Sequence, residues 1–239
     1  MRIALFAAAL CLLTSEAPRA QSAQTVTITG KVQAVQNGAV VKPPVGGLWV
    51  YLVDKGAHHR PSTSSATSSG KNPQIRQQHT SFDPHVLVVP KGAIVDFPND
   101  DAYEHNVFSP DPFFDLGRYS KGTKSRKFTT VGEQEIYCDI HKCMWAHVKV
   151  VDVPDASWIQ PVVNGTYKFD NVAPGKYEVK AWAIASEDVP SDEKTLVPGD
   201  TWGVPTLNVQ LGALDLNHNN KTNQPYPPSA QQYGNGRCP

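Results

Sequence analysis

The chain has 239 residues, with 22 basic and 22 acidic side chains, so its formal net charge is zero. Proteins that bind nucleic acid through its phosphates need a basic excess, and this balance argues against that class. Valine (26 residues) outnumbers leucine (13), and 17 glycines and 20 prolines interrupt the sequence. Because β-branched side chains suit pleated sheets, this composition predicts a β-rich protein and excludes a long helical bundle.

The first 20 residues have the features of a signal peptide. Arg2 precedes an apolar run of 11 residues, Ile3 to Leu13, which is too short to cross a membrane. Small residues follow, and Ala20 is the preferred cleavage point. We therefore expect an exported protein, periplasmic or secreted, with no membrane span and in a space where thiols pair or bind metal.

Two strands are predicted in residues 25–53, where apolar residues alternate, as at Val26 and Ile28 and again at Leu48, Val50 and Leu52. Residues 55–78 contain almost no apolar side chain and predict a long exposed loop. That loop carries His58 and His59, which we interpret as solvated residues or, alternatively, as an accessory metal site.

Further strands are predicted at 84–89, 93–97, 105–109, 129–137 and 146–151, with a loop at 110–127. Their number and spacing suit an antiparallel sandwich. His79 and His85 flank the start of a strand, which favours structural roles. His147 alternates with apolar neighbours, so it is expected to face solvent.

A second unit is predicted to begin at Val153. Residues 165–169 and 177–182 alternate on either side of a turn, and residues 203–211 give a further strand. From residue 213 onward the sequence is rich in Asn, Gln, Pro and Ser. This composition predicts a disordered tail over 213–239, in which His218 has no role.

One cluster of residues carries metal chemistry. Cys138, His141 and Met144 lie within seven residues at the end of a predicted strand, and His105 opens another strand 33 residues earlier. A thiolate, two imidazoles and a weak thioether are the ligand set of blue copper sites. The alternatives are a buried Cys and Met beside a surface His, or a zinc site, although methionine is a poor zinc ligand.

The segments His105-Asn106-Val107 and Tyr137-Cys138-x-x-His141-x-x-Met144 resemble the cupredoxin family. The resemblance implies a Greek-key β-sandwich over residues 24–152, with the loop 55–78 as an addition, and one Cu(I)/Cu(II) ion per chain. It implies that His105, Cys138 and His141 are equatorial copper ligands and that Met144 is the axial one.

The same resemblance implies an outer-sphere role for Asn106. Its backbone amide would bond the sulfur of Cys138, and its side chain would connect the two ligand segments. Such bonds orient ligands and tune the metal.

Residues 165–182 resemble the carboxypeptidase-regulatory-like, transthyretin-like β-sandwich, with Pro174-Gly175 as the turn between two strands. This implies a small β module over 153–212 and says almost nothing about activity. The whole chain is therefore predicted to be all-β, with two sandwich-type modules.

Three cysteines remain after removal of the signal peptide: Cys138, Cys143 and Cys238. An odd count in an exported protein needs an explanation. Metal binding by Cys138 would explain the odd count. Cys143 then competes for the metal, carries a free thiol, or forms a disulfide with Cys238.

A basic run lies between residues 116 and 132, where the sequence has no acidic residue. It is interpreted as a solvated loop or as a docking patch for an acidic redox partner, since charge complementarity raises encounter rates. Its members are Arg118, Lys121, Lys124, Arg126 and Lys127.

The leading functional hypothesis is an exported mononuclear copper protein that carries one electron at a time between redox partners and is not an enzyme. The alternative is a periplasmic copper-binding or delivery protein without obligatory redox turnover. A copper enzyme is disfavoured because no His-x-His pattern supplies further copper sites. A ligand-binding role for the second unit, through its aromatic residues, would be additional to these.

Overall fold

Residues 25–56 and 70–227 are described by the computed structural model, and almost all of their regular structure is β-strand. The exception in these ranges is one short 3₁₀ helix, Ala156–Trp158. The strands pair into four sheets. The prediction of an all-β protein is confirmed.

The strands are numbered in chain order. They are β1 Val26–Gln36, β2 Ala39–Val41, β3 Trp49–Asp54, β4 Arg76–Gln78, β5 Ser81–Asp83, β6 Val86–Pro90, β7 Ile94–Asn99, β8 His105–Pro110, β9 Phe113–Tyr119, β10 Gly122–Lys127, β11 Gly132–Tyr137, β12 Trp145–Val151, β13 Ile159–Pro161, β14 Thr166–Val172, β15 Gly175–Trp182, β16 Val189–Pro190, β17 Lys194–Leu196 and β18 Thr201–Gln210.

Sheet 1 has the order β14-β1-β18, with β2 paired to β1, and sheet 2 has the order β13-β3-β15-β16, with β17 paired to β15. Sheet 3 has the order β6-β12-β11-β8-β9, and sheet 4 has the order β10-β7-β4-β5.

Sheets 1 and 2 enclose one hydrophobic core, and sheets 3 and 4 enclose another. The first core contains alternate residues of β1, β3 and β15, including Ile28, Val50 and Val179. The second contains Phe97 from sheet 4 and Val148 from sheet 3. Burial of a side chain of this size contributes roughly 1.5–3 kcal/mol to stability. Each core therefore stabilises one β-sandwich, made of the two sheets that enclose it.

The predicted domain boundary at residue 152 is wrong, because β1 and β3 pair with strands that follow it. β1 runs antiparallel to β14 and parallel to β18. β3 runs antiparallel to β15. Residues 24–152 therefore do not form one module. Alternation identifies a strand and its buried face, but it does not identify the partner strand.

One sandwich is therefore inserted into the other. The chain completes β3, forms sheets 3 and 4 with β4 to β12, and then returns to sheet 2 at β13. We name sheets 1 and 2 the discontinuous sandwich and sheets 3 and 4 the inserted sandwich.

A third cluster of buried residues lies between the two sandwiches. It joins Tyr51 and Trp182 of sheet 2 to Val86 and Val151 of sheet 3. Sheet 3 is consequently covered on both faces near β12.

This cover explains why the prediction for His147 is wrong. His147 is only 5% exposed, and neither of its ring nitrogens has a hydrogen-bond partner among the described residues. Burial lowers the pKa of His147 to about 4. Its strand neighbour Lys149 is also buried and pairs with Asp188 of the discontinuous sandwich at 3.2 Å.

The predicted loops are shorter than expected. Within 55–78, Ile75 is buried and Gln77 lies in β4, where its side chain donates to the Phe97 carbonyl at 3.3 Å. Residues 110–127 form β9 and β10 instead of a loop. His58 and His59 lie outside the described residues.

The prediction of a disordered tail is wrong for residues 213–227, which we name the C-terminal strap. Tyr226 is 6% exposed, and the ring of His218 stacks on that of Tyr137 with centroids 3.7 Å apart. The predicted signal peptide and residues 228–239, which include Cys238, lie outside the described residues. Among the described residues, no helix has the length and apolar character needed to cross a membrane.

The pairing of β1 with β14 gives a testable prediction at Gly30. Gly30 lies opposite Tyr167, and a Cβ at Gly30 would lie 2.6 Å from the ring carbon Cζ of Tyr167. Gly30→Ala should therefore lower the free energy of unfolding by about 1–3 kcal/mol through overpacking. Denaturant unfolding measures this.

Gly203 is the matched control, because it lies on the neighbouring strand β18 and a Cβ there would meet no atom within 4 Å. Gly203→Ala should be close to neutral. Equal losses in the two variants would contradict the pairing described here.

Candidate metal site

His105 and Cys138 of the predicted site lie at the ends of neighbouring strands of sheet 3, and His141 lies in the loop that follows Cys138. His105 is the first residue of β8, and Cys138 directly follows β11. β8 and β11 are antiparallel, with Phe108 opposite Tyr137. This register places the start of β8 beside the end of β11.

The ligand loop, residues 138–144, connects β11 to β12. The backbone N–H of Cys138 donates to the carbonyl of Met144 at 3.3 Å, and the N–H of Met144 donates to the carbonyl of His141 at 3.1 Å. These bonds close the loop, so its three predicted ligands lie on one tight turn of chain.

The ligand atoms of His105, Cys138 and His141 converge, all lying within 4.8 Å of one another. The two Nδ1 atoms of His105 and His141 are 2.9 Å apart, and Sγ of Cys138 is 3.5 Å from Nδ1 of His141. Two atoms bound to one ion at roughly 2.0–2.3 Å lie up to about 4.6 Å apart. Both measured separations therefore suit a shared ion.

The site is buried. His105, Cys138 and Met144 have no exposed surface, and His141 is 2% exposed. Met144 packs in the same hydrophobic cluster as Cys138. The structure thus brings Met144 beside the site, while ligation by its sulfur stays a prediction.

Burial also sets the charge of the histidines. It lowers the pKa of His141 to about 4, and it lowers the pKa of His105 although Asp101 opposes that effect. Both rings are therefore neutral at neutral pH, which is the form that binds metal.

Burial raises the pKa of the Cys138 thiol, and backbone N–H groups of Asn106, Ile140 and His141 oppose this effect. A thiolate here would need a bound cation beside it, because an unpaired charge in an apolar core is costly. A buried thiol facing two neutral imidazoles, with a thioether in the same cluster, fits copper by the softness of its donors.

The side chain of Asn106 connects the two ligand segments. Its amide nitrogen donates to Asp115 at 2.6 Å, and its amide oxygen accepts from the backbone N–H of Asp139 at 3.2 Å. The bridge implied by the family resemblance is present in the structure.

Asp101 is a site residue that the sequence analysis missed. Its Oδ2 lies 2.7 Å from Nε2 of His105, and its carboxylate also accepts from the backbone N–H groups of His79 and Thr80. Burial alone would raise the pKa of Asp101, but these hydrogen bonds outweigh it and hold the pKa below its ordinary value. The carboxylate is thus anchored where it orients the His105 ring.

Tyr103 was also missed. Its ring stands edge-on to His105 and to His141, with centroids 5.1 Å and 6.0 Å away. Its hydroxyl is 2.7 Å from the hydroxyl of Thr80, while 43% of the residue is exposed. Tyr103 therefore forms part of the cover between the two histidines and solvent. A tyrosine two residues before a histidine in a turn gives no sequence signal for such a role.

The other histidines among residues 25–56 and 70–227 are not part of the cluster. Nδ1 of His85 lies 2.9 Å from the carbonyl of Trp145, and the two rings stack, which agrees with the predicted structural role. His79 is exposed and contributes its backbone to the Asp101 contact. Cys143 is partly buried in the ligand loop but is not in the converging group.

No protein-family model matches the chain, and no curated protein matches it. Solved structures of copper proteins match parts of it. The purple cupredoxin from Nitrosopumilus maritimus is 23% identical and covers 34% of this chain and 100% of its own, with a TM-score of 0.31.

A copper-containing nitrite reductase from Thermus scotoductus SA-01 is 21% identical and covers 50% of this chain and 28% of its own, with a TM-score of 0.34. A mutant amicyanin in its reduced Cu(I) form is 20% identical and covers 42% of this chain and 99% of its own, with a TM-score of 0.33.

The contact between Asp101 and His105 gives a prediction for metal binding. Asp101→Asn removes the negative charge beside His105. It also replaces one carboxylate oxygen of residue 101, a hydrogen-bond acceptor, with an amide nitrogen. Because partners of this kind typically contribute 10–100-fold to metal affinity, copper affinity should fall by at least about tenfold. Competition with a chelator measures it.

Asp100 supplies the matched control, since its carboxylate pairs with Arg76 at 2.5 Å instead of with a ligand. Asp100→Asn removes the same charge one residue away and should leave copper affinity within about twofold of the wild type. A similar loss in both variants would show that Asp101 acts only through overall charge.

Proposed function

We propose that this protein is an exported copper protein that binds one copper ion and passes single electrons between redox partners. His105, Cys138, His141 and Met144 are the ligands in this proposal. The observation that carries it is the convergence of the Cys138 sulfur with the Nδ1 atoms of two buried histidines.

Copper held by these donors supplies a Cu(I)/Cu(II) couple, since thiolate and thioether suit Cu(I) and imidazole suits both states. The chain's own part is to hold the donors still. The ligand loop is closed by its backbone hydrogen bonds, and β8 is fixed beside β11. Donors that cannot rearrange keep the geometry similar in both states, which favours rapid electron exchange.

Burial of the site supports a carrier in preference to an enzyme. With His141 only 2% exposed and the other three residues fully buried, no substrate molecule reaches the ligands without movement of the cover. An electron does not need such access.

Copper delivery is the second candidate. A thioether and a second thiol, Met144 and Cys143, lie in one loop, and Cys143 is partly exposed there. Delivery requires rapid transfer of copper to an acceptor. Carriage of electrons instead requires retention of copper together with a reversible voltammetric wave.

Copper loading tests the proposal directly. The Cu(II) form of the wild type should show an intense visible thiolate-to-copper absorption and bind one ion per chain. Cys138→Ser removes the thiolate and should abolish this band, while the metal-free variant keeps the wild-type fold by circular dichroism.

Absorption and EPR spectra after addition of Cu(II), with metal analysis, give the readout. A colourless Cu(II) protein, or a Cys138→Ser variant with an unchanged spectrum, would contradict the proposed site. Preferential retention of zinc over copper would assign the site to a structural metal.

We further propose that an acidic redox partner docks beside the ligand loop, on the segment that comprises β9, the turn after it and β10. Arg118 lies opposite Asn106 in the sheet and pairs with Asp139, the residue after Cys138, at 3.5 Å. Arg118 therefore places one end of this basic segment at the ligand loop. Lys121 and Lys127 are exposed on the same segment.

Reversing these two exposed charges tests the docking surface. In Lys121→Glu/Lys127→Glu, oxidation of the reduced copper protein by anionic ferricyanide should slow several-fold at low salt, because electrostatic steering is lost. The difference should shrink at high salt.

Lys31→Glu/Lys42→Glu is the matched control, since both lysines are exposed on the discontinuous sandwich. This double variant has the same net charge as Lys121→Glu/Lys127→Glu. It should slow the reaction with ferricyanide less. Equal slowing in the two double variants would contradict a local docking surface.

A further inference from the structure

The C-terminal strap reaches the metal site from the other sandwich. It begins after β18, where the N–H of Gly212 donates to the carbonyl of Ala185 at 2.7 Å. Leu214 then packs against the cluster between the two sandwiches. Near the end of the strap, the hydroxyl of Tyr226 donates to the backbone carbonyl of Cys138 at 2.6 Å.

Three consecutive residues, the last of β11 and the first two of the ligand loop, are each held by a different strap residue. The His218 ring stacks on Tyr137 with an interplanar angle of 9°. Tyr226 bonds Cys138, and the backbone N–H of Lys221 donates to the Asp139 carboxylate at 3.2 Å.

The side chain of Lys221 extends this attachment to the bridge made by Asn106. Its ammonium group donates to Asp115 at 2.8 Å, and Asp115 is the acceptor of the Asn106 amide at 2.6 Å. The strap is therefore bonded to the carboxylates of Asp115 and Asp139, the two residues that the Asn106 side chain contacts.

The strap has its own fixed shape between these contacts. The side-chain oxygen of Asn220 accepts from the N–H of Thr222 at 3.0 Å and from the N–H of Gln224 at 2.9 Å. This turn reverses the chain between Lys221 and Tyr226, so one segment contacts residues 137–139 at several points.

We propose that the C-terminal strap positions the Cys138 arm of the metal site, with Tyr226 as its main positioning residue. The part of this inference that concerns copper rests on the proposed function. The part that concerns the structure is tested on metal-free protein. A carbonyl group fixed by Tyr226 restrains the peptide plane between Cys138 and Asp139, which directly follows the cysteine Cα. The sulfur then keeps its direction toward His105 and His141 whether or not an ion is bound.

Tyr226→Phe is the decisive variant, because it removes the hydroxyl and leaves the ring beside His218. In metal-free protein, amide hydrogen exchange of residues 138–141 should quicken about fivefold, as expected for loss of one buried hydrogen bond. In copper-loaded protein, transfer of copper to a chelator should be about tenfold faster, and the thiolate-to-copper band should shift.

The discontinuous sandwich offers a matched control. The hydroxyl of Tyr177 likewise donates to a backbone carbonyl, that of Ala173, at 2.8 Å. Tyr177→Phe removes an equivalent bond far from the ligand loop. It should leave exchange at residues 138–141 and copper transfer at wild-type values.

Unchanged exchange at residues 138–141 in Tyr226→Phe would overturn the proposal, as would an equal change in Tyr177→Phe. Faster exchange in a protein that binds no copper would leave the strap's positioning role intact and refute the proposed function. Lys221→Met, which removes the ammonium contacts but keeps the chain length, should give a smaller change in the same direction.

Discussion

The pairing of β8 with β11 is the contact on which the site depends. It sets Phe108 opposite Tyr137, and the histidine at one end of β8 then meets the cysteine at the end of β11. Side chains alternate along a strand, so a slip of one residue would turn the sulfur out of the core. Buried residues on the core face of β11, such as Ile136, oppose that slip because it would expose them.

The converging residues could be predicted from sequence because their chemistry is concentrated. Cys138, His141 and Met144 are close in the chain, and few other roles need a thiol, an imidazole and a thioether together. Asp101 and Tyr226 could not be predicted in the same way. Each acts through one contact whose partner is fixed only by the fold: an imidazole nitrogen for Asp101 and a backbone carbonyl for Tyr226.

The arrangement of the two sandwiches could not be predicted from sequence, for a related reason. The strands themselves were largely predicted, since β1, β3 and β15 alternate clearly. Nothing in that alternation shows that Ala34 of β1 lies opposite Val209 of β18, far along the chain. Strand β12 gave a false signal because its second face, with His147, is covered by the other sandwich instead of by water.

The basic run on β9 and β10 has two physical explanations that apply to different residues. β10 lies at the edge of sheet 4, and charged side chains on an edge strand prevent pairing with another molecule. Arg126 also lies over the Phe114 ring, with 4.9 Å from its guanidinium carbon to the ring centroid, so it covers part of the core.

Lys121 lies in the turn before β10 and has neither of these roles among the described contacts. Arg118 is tied to the ligand loop through Asp139. The two residues that protection of the sheet edge does not explain thus include Arg118, the one that contacts the ligand loop. A surface kept basic only to protect a sheet edge would instead have all of its charges on β10.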